Sequence, residues 1–235
     1  VQTCALPILY YLGGRKMKKT ILFSMLVGST LFLGKEALAV TPAISEGTAT
    51  LQALTEEEAG PVTPQITDPE NPNGTGQTGL LTLDAVPSFD FKGEGLSGQF
   101  MDTLTPTQIE NGYEKNAQIT DRRGTGAGWN LSLNISSFKS ADVALKGVNI
   151  TIPVSLEAGT DNTSVAPSIV KSISGIVDPV SGFDVGTVMS ANVGEGYGTW
   201  ISKFSGASLN IADGNSAGSY KSTFTWTIAQ VPIGE

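Results

Sequence analysis

Five of the twelve acidic residues between positions 90 and 195 are candidates for hydrolytic chemistry. Two carboxyl groups a few ångströms apart are enough to hydrolyse a glycosidic bond. Nothing in their spacing pairs any two of these acids, so turn-forming or solvated roles are favoured over catalysis. The five residues are Asp90, Glu94, Asp121, Asp184 and Glu195.

Other catalytic and metal-binding schemes lack their essential residues. The chain has no histidine, which removes Ser-His-Asp triads and His-ligated zinc sites, and its one cysteine is Cys4. Asp213 and Asn215 offer oxygen ligands for calcium, but the regular acid spacing of a calcium loop is missing and an ordinary turn is favoured. The sequence therefore predicts no enzyme, no catalytic residue, no metal site and no cofactor.

One glycine motif resembles a phosphate-binding loop. Residues 93–98 match Gly-x-Gly-x-x-Gly. The dinucleotide fingerprint also needs a helix that follows directly and a strand–helix–strand unit around it. Pro106 follows soon after, and strands do not alternate with helices in this region. A flexible turn is the predicted structure.

Two aromatic residues and two arginines are the candidates for glycan binding. Tyr197 and Trp200 lie among three glycines, which could leave both rings open for stacking on a sugar. A turn followed by a strand with Trp200 in the core is an equally good interpretation. Arg122 and Arg123 are the main local positive charges and form the second candidate site, for anionic polymers.

Two stretches with alternating side chains indicate the core. Every second residue from Trp129 to Ile135 is apolar, and polar residues occupy the positions between them. From Tyr220 to Ile228 the same alternation places Trp226 and Ile228 on one face. Side chains of a strand alternate between its faces, so both stretches predict half-buried strands. We expect the two strands to face each other across one core, with Trp129, Leu131, Tyr220, Trp226 and Ile228 as motif and core residues.

Short runs rich in valine, isoleucine and threonine fill the rest of the second half. Glycine, aspartate, asparagine and serine separate these runs, which favours an all-β sandwich or barrel-like domain of many short antiparallel strands. Pro153 predicts an edge or a bulge in the run 148–156. Further strands are predicted near 80–83, 86–91, 117–121, 168–177, 183–193, 198–204 and 207–211.

The chain divides into four segments. Residues 1–16 precede the plausible start Met17 and are interpreted as translated upstream sequence. Residues 17–39 combine a basic start, an apolar stretch of about 14 residues and a small-x-small site, which predicts a signal peptide and not a membrane span. Residues 40–78 comprise a predicted strand at 47–54 and then an acidic linker rich in Pro, Asp and Asn. Residues 79–235 form the β domain.

The charge of the exported chain excludes one class of partner. Residues 1–39 contain five basic residues and one acid, so the remainder has nine basic and 21 acidic residues, a net charge of −12. Such a chain is not expected to bind nucleic acid or anionic lipid through a general electrostatic field. It also lacks cysteine, so no disulfide is predicted.

The Trp-x-aliphatic pairs resemble the signatures of a known family. Trp129-Asn130-Leu131, and Tyr220 followed by Trp226-Thr227-Ile228, are similar to the paired Trp-x-Leu motifs of WxL-domain surface proteins of Gram-positive bacteria. The stretches 86–91 and 120–124 support the resemblance. Ile228 stands where the family usually has leucine, and Lys92 stands where glycine is common.

The resemblance implies a non-catalytic protein at the cell surface. It implies non-covalent attachment to the cell wall, with peptidoglycan as the ligand, and association with other surface proteins encoded nearby. An alternative is a structural or adhesive subunit that a partner surface protein holds on the wall. A secreted glycan hydrolase is a third possibility. The mature chain is expected to be secreted, retained at the wall and without a transmembrane span.

Overall fold

The computed structural model describes residues 45–93, 98–102 and 112–230, and within these ranges it contains strands and no helix. The predicted all-β class is confirmed. The strands are β1 (Leu81–Ala85), β2 (Phe91–Lys92), β3 (Gly98–Asp102), β4 (Asn116–Asp121), β5 (Trp129–Ile135), β6 (Lys139–Ser140), β7 (Val143–Ala144), β8 (Val148–Ile152), β9 (Val154–Ala158), β10 (Ile169–Val170), β11 (Ile173–Val177), β12 (Phe183–Ala191), β13 (Gly198–Phe204), β14 (Ser208–Ile211) and β15 (Phe224–Ala229). The residues predicted as upstream sequence and signal peptide, most of the Gly-x-Gly-x-x-Gly motif and the last five residues lie outside the described ranges.

The described strands form three antiparallel sheets and one short hairpin. Their orders are β1-β4-β13-β9, β10-β12-β5-β15 and β11-β8-β14-β3-β2, with β6 and β7 paired separately. The apolar residues of all three sheets join in one core, in which Ile119, Trp129 and Ile150 each come from a different sheet and are fully buried. Residues from Thr50 onward belong to one compact unit, while the described residues 45–49 are exposed and irregular.

β5 lies inside its sheet because both of its edges are paired. β12 runs antiparallel on one side and β15 on the other. Trp129, Leu131, Leu133 and Ile135 are all buried on the core face, which confirms the alternation in the sequence. The expected arrangement of the two tryptophan strands is wrong, however. They are hydrogen-bonded neighbours in one sheet, with Trp226 directly opposite Leu133, and do not face each other across the core.

Pro153 separates two strands that belong to different sheets. β8 pairs with β11 and β14, whereas β9 pairs with β13. The predicted single strand 148–156 is therefore divided. Pro153 directly precedes β9, which is the edge strand of its sheet, so the predicted edge position is confirmed. Proline cannot donate to a ladder, so a change of sheet at this residue sacrifices no backbone hydrogen bond.

The N-terminal part of the β domain differs from the expectation. No strand forms over 47–54, and Leu51 is almost fully exposed. Residues 55–79 are irregular, as their prolines require, but they do not behave as a solvated linker. Ala59 and Pro64 are buried, and the Gln65 amide donates to the Gln118 side chain at 2.7 Å. The segment is a strap over β1 and β4, because these strands carry polar residues that it can bind.

The strap covers a buried polar face. Asp84 is 1% exposed and accepts hydrogen bonds from Thr82, Gln118 and Thr120 at 2.6–2.8 Å. Desolvation raises the pKa of Asp84 against the opposing effect of these hydrogen bonds. Side chains of β1 and β4 alternate between an apolar face and a polar face of the sheet. Both faces are buried.

Candidate functional site

Trp129 is held in the core by the glycine-rich segment 194–198. Its indole Nε1 donates to the Gly196 carbonyl oxygen at 3.0 Å, and the residue has no exposed surface. Gly196 has φ +72°, and a Cβ atom there would lie 2.4 Å from the Ala191 Cβ and 2.7 Å from Trp129 Nε1. The absence of a side chain at Gly196 therefore lets the backbone of this segment approach the Trp129 indole ring. The segment packs on the core and does not hold aromatic rings open to solvent.

Trp226 has a different environment from Trp129. It lies on β15, is half-buried and packs against Phe204 with ring centroids 5.5 Å apart. Its Nε1 atom is buried but has no hydrogen-bond partner among the described residues. Ile228 is opposite Leu131 on the neighbouring strand and is also half-buried. Both residues pack against the core, although less completely than the first motif.

Trp200 is a core residue and offers no open platform for a sugar. It lies in β13, is 4% exposed and donates from Nε1 to the Tyr197 carbonyl oxygen at 3.0 Å. Tyr197 is half-buried, and its hydroxyl group lies where a side chain at Gly126 would be. With 4% of its surface exposed, Trp200 leaves little ring area for a sugar, which favours the core interpretation of this residue.

Arg122 and Arg123 are engaged in structural contacts. Arg122 donates to the carbonyl oxygens of Gly60 and Gly79 at 2.8 and 2.6 Å, which ties the strap to β4. Arg123 is bidentate on Asp121, at 2.9 and 2.7 Å, and the Asp121 side chain is completely buried. Such charge-assisted pairs are strong and leave few donors for another anion. Both arginines therefore stabilise the fold through hydrogen bonds, Arg122 to the strap and Arg123 to Asp121.

An aromatic cleft opens between two segments of the described residues. Its volume is about 570 Å³, within the usual range for ligand sites. One wall is the segment 86–91, and the other is the segment 218–224. Six aromatic rings line it together with serine, aspartate and lysine side chains. The rings belong to Phe89, Phe91, Phe100, Phe138, Tyr220 and Phe224.

The cleft continues the aromatic part of the core toward the surface. Phe89 lies 5.4 Å from Phe224 and 6.1 Å from Phe204 between ring centroids, and Phe204 contacts Trp226. Tyr220 is half-buried, and its hydroxyl donates to the Ser216 carbonyl oxygen at 2.9 Å. Phe138 also lines the cleft, is 7% exposed and contacts Phe91 and Phe224. A series of ring contacts thus links the second tryptophan to the cleft wall.

The chemistry of the cleft suits binding better than hydrolysis. Asp90 is the one carboxylate among the described lining residues, and it pairs with Lys92 at 2.7 Å. Hydrolysis of a glycosidic bond normally needs two carboxyl groups about 5–9.5 Å apart. The described residues also contain no group of three or more potential metal ligands. Aromatic rings with polar groups at the rim can instead cover the apolar faces of sugars.

Comparison with models of known protein families identifies the family of this chain. The family model for the WxL domain, described as surface cell wall-binding, matches residues 39–232. The chain belongs to the WxL domain family. It is a wall-binding protein of the cell surface, as the two tryptophan motifs imply. No match is found among curated proteins or among solved structures.

The WxL match includes both tryptophan strands and both walls of the cleft. Of the predicted site residues, Tyr220 alone lines the cleft, while Tyr197, Trp200, Arg122 and Arg123 do not. Sequence reasoning missed Phe138 and Phe224 as lining residues. The alternation of Phe89 and Phe91 was the available signal for the first wall. No helix in the described ranges has the length and apolar character needed to cross a membrane.

Proposed function

We propose that this WxL chain binds the glycan of peptidoglycan directly and without catalysis, in the aromatic cleft. The observation that carries the proposal is the meeting of the segment 86–91 with Tyr220 around one open cleft of about 570 Å³. Both stretches belong to the resemblance with WxL proteins, yet they lie far apart in the sequence. A shared cleft gives them a common role that core packing alone does not require.

The lining residues match the two kinds of surface on a sugar. The rings of Tyr220 and Phe91 are half-buried and present apolar area, while the exposed Ser219 supplies a hydroxyl group. Pairs of aromatic side chains gain about 0.5–1.5 kcal/mol beyond simple burial, and a contact between a ring and a sugar is expected to be of the same order. Several such contacts repeated along a polymer support retention on the wall.

Charge has a minor part in this mode of binding. The exported chain has a net charge of −12, which disfavours general attraction to anionic wall polymers. The arginines proposed as an alternative contact are bound to Asp121, Gly60 and Gly79. Retention on the wall is therefore expected to depend weakly on salt.

The test is retention of purified chain on wall sacculi stripped of proteins. Tyr220→Ala should weaken retention about tenfold, which corresponds to about 1.4 kcal/mol. Tyr220→Phe keeps the ring and should bind like the wild type. Tyr197→Ala is the matched control, because Tyr197 is also a half-buried tyrosine but does not line the cleft. Thermal unfolding of each variant separates loss of binding from loss of fold.

Three outcomes would contradict the proposal. Unchanged retention of Tyr220→Ala would remove the cleft from wall binding. Absence of wild-type retention, restored by adding surface-protein extract, would favour a subunit that a partner holds on the wall. Release of soluble sugar fragments from the sacculi would indicate a hydrolase.

A further inference from the structure

Four of the six edge strands of the three sheets are protected against further pairing; the other two are β15 and the five-residue β11, which has no charge and no proline but contains Gly175. β1 has a bulge between Leu83 and Ala85, and the strap residues Thr75 and Gln77 hydrogen-bond to its outer backbone. β9 follows Pro153 and carries Glu157. β2 and β10 are only two residues long. Bulges, charges, prolines and short length are the usual devices that prevent pairing between sheet edges.

β15 has none of these devices. It is six residues long, and its sequence Phe-Thr-Trp-Thr-Ile-Ala contains no charge, no proline and no bulge in its pairing with β5. Most of its residues are β-branched or aromatic, the types most favoured in strands. Among the described residues no strand pairs with its other edge. It is therefore an unprotected edge, and its Thr225 and Thr227 side chains are exposed.

The register shows which backbone groups of β15 remain available. The Ser136 amide donates to the Thr223 carbonyl oxygen at 2.9 Å, so Thr223 directs its backbone toward β5. In an antiparallel pair this direction alternates along the strand, so Thr225 and Thr227 also face β5. The amide and carbonyl groups of Phe224, Trp226 and Ile228 consequently point to the open side. They form a template for one more strand.

We propose that β15 pairs antiparallel with β15 of a second copy of this chain, about a two-fold axis at Trp226. This register places Trp226 opposite its own copy and Phe224 opposite Ile228 of the partner subunit, so that all the available groups bond. Thr225 then lies opposite Thr227 of the partner subunit. The pairing makes one continuous sheet from two copies, and Phe224 is the one β15 residue that also lines the cleft.

Self-complementarity favours a second copy over another polypeptide. A two-fold axis brings identical side chains near each other, so a charged edge would oppose like charges, and β15 has no charge. The half-buried Phe224, Trp226 and Ile228 lie on one face and would cover their counterparts. A single six-residue edge buries much less than the roughly 800 Å² per partner of a standard interface. The dimer is therefore weak and forms where copies are concentrated, as on a wall.

The first test is disulfide crosslinking in chain 40–235, which contains the whole compact unit and no cysteine. Thr225→Cys and Thr227→Cys are prepared as separate chains with different tags. Facing residues of a non-hydrogen-bonded pair lie about 4.5 Å apart between Cα atoms, within disulfide range, whereas diagonal neighbours lie about 7–8 Å apart. Oxidation of the mixture should give the mixed dimer at least about tenfold above either chain alone. Absence of this preference overturns the register.

The second test is self-association measured by sedimentation over a concentration series. The wild type should dimerise with rising concentration, and Thr225→Lys/Thr227→Lys should weaken dimerisation at least about tenfold through like-charge contacts. Mixing this variant with Thr225→Glu/Thr227→Glu should restore a mixed dimer. A wild type that stays monomeric at every concentration and gives no mixed crosslink overturns the proposal. Capture of an added foreign peptide by that monomer, lost in the lysine variant, would assign the edge to another polypeptide.

Discussion

The two tryptophan strands show how one sequence pattern leads to two different environments. β5 and β15 both place a tryptophan and, two residues later, an aliphatic residue on the core face of the same sheet. Trp129 is fully buried, and its indole N–H donates to Gly196. Trp226 is half-buried, and its indole N–H has no partner in the part of the chain that the structure describes. The spacing thus determines the face of the strand, while the position of the strand in the sheet determines the depth.

The difference follows from what surrounds each strand. β5 has paired neighbours on both sides and the 194–198 segment over its first residue. β15 has a neighbour on one side and contacts the cleft on its core face. Side chains on an edge strand have fewer neighbours to remove them from water. The first motif therefore contributes more to stability, and the second is available for interactions.

Truncation of the two tryptophans should give the largest contrast. Trp129→Ala is expected to lower the free energy of unfolding by about 3–5 kcal/mol, because a fully buried ring leaves a cavity. Trp226→Ala should lower it by about 1–2 kcal/mol, since part of that ring is already exposed. Denaturant unfolding of both variants measures the difference. Equal losses would show that sheet position does not govern the contribution of each motif.

Gly196→Ala should affect the first motif without changing any residue of β5. The substitution is expected to lower the free energy of unfolding by about 2–4 kcal/mol, because φ is positive and the new Cβ collides with Trp129 and Ala191. Gly194→Ala is the matched control, as it also has positive φ but nothing within 4 Å. Gly194→Ala should lower the free energy of unfolding by about 1 kcal/mol. Similar losses for both glycines would contradict close packing at Gly196.

Replacement of each indole by a smaller ring should sharpen the contrast. Trp129→Phe removes the donor to the buried Gly196 carbonyl and is expected to cost about 1–3 kcal/mol. Trp226→Phe removes a buried donor that has no partner within residues 45–93, 98–102 and 112–230, so its effect on the free energy of unfolding should stay within about 0.5 kcal/mol. Thermal unfolding followed by circular dichroism checks both values. A larger cost at position 226 would mean that its N–H has a partner in solution.

Several elements follow directly from local sequence. The predicted strand 198–204 matches β13, and 117–121 matches β4 to within one residue, because alternation and flanking glycines act locally. The hairpin of β6 and β7 was not predicted, since two-residue strands carry no periodic signal. The run 148–156 was predicted as one strand because local pattern cannot show that its two halves bond to different sheets.

The candidate site depended more on tertiary structure than the fold did. The pairs chosen from local context, Tyr197 with Trp200 and Arg122 with Arg123, are occupied by core or strap contacts. The glycines near Trp200 suggested that its ring is exposed. In the structure, Gly196 instead leaves space for the Trp129 ring, which a side chain at position 196 would contact too closely. The cleft joins two segments about 130 residues apart, and no local pattern reports such a distance.

The sequence by itself determined the all-β class, the two tryptophan strands, the apolar face of each and membership of the WxL family. These features depend on the period-two alternation and on short motifs, which are properties of neighbouring residues. Tertiary structure alone decided that β5 is central and β15 is an edge, that the strap covers Asp84, and that Phe89 meets Tyr220 across a cleft. These features depend on which distant segments pack together, because burial is set by the neighbours in space and not by the neighbours in sequence.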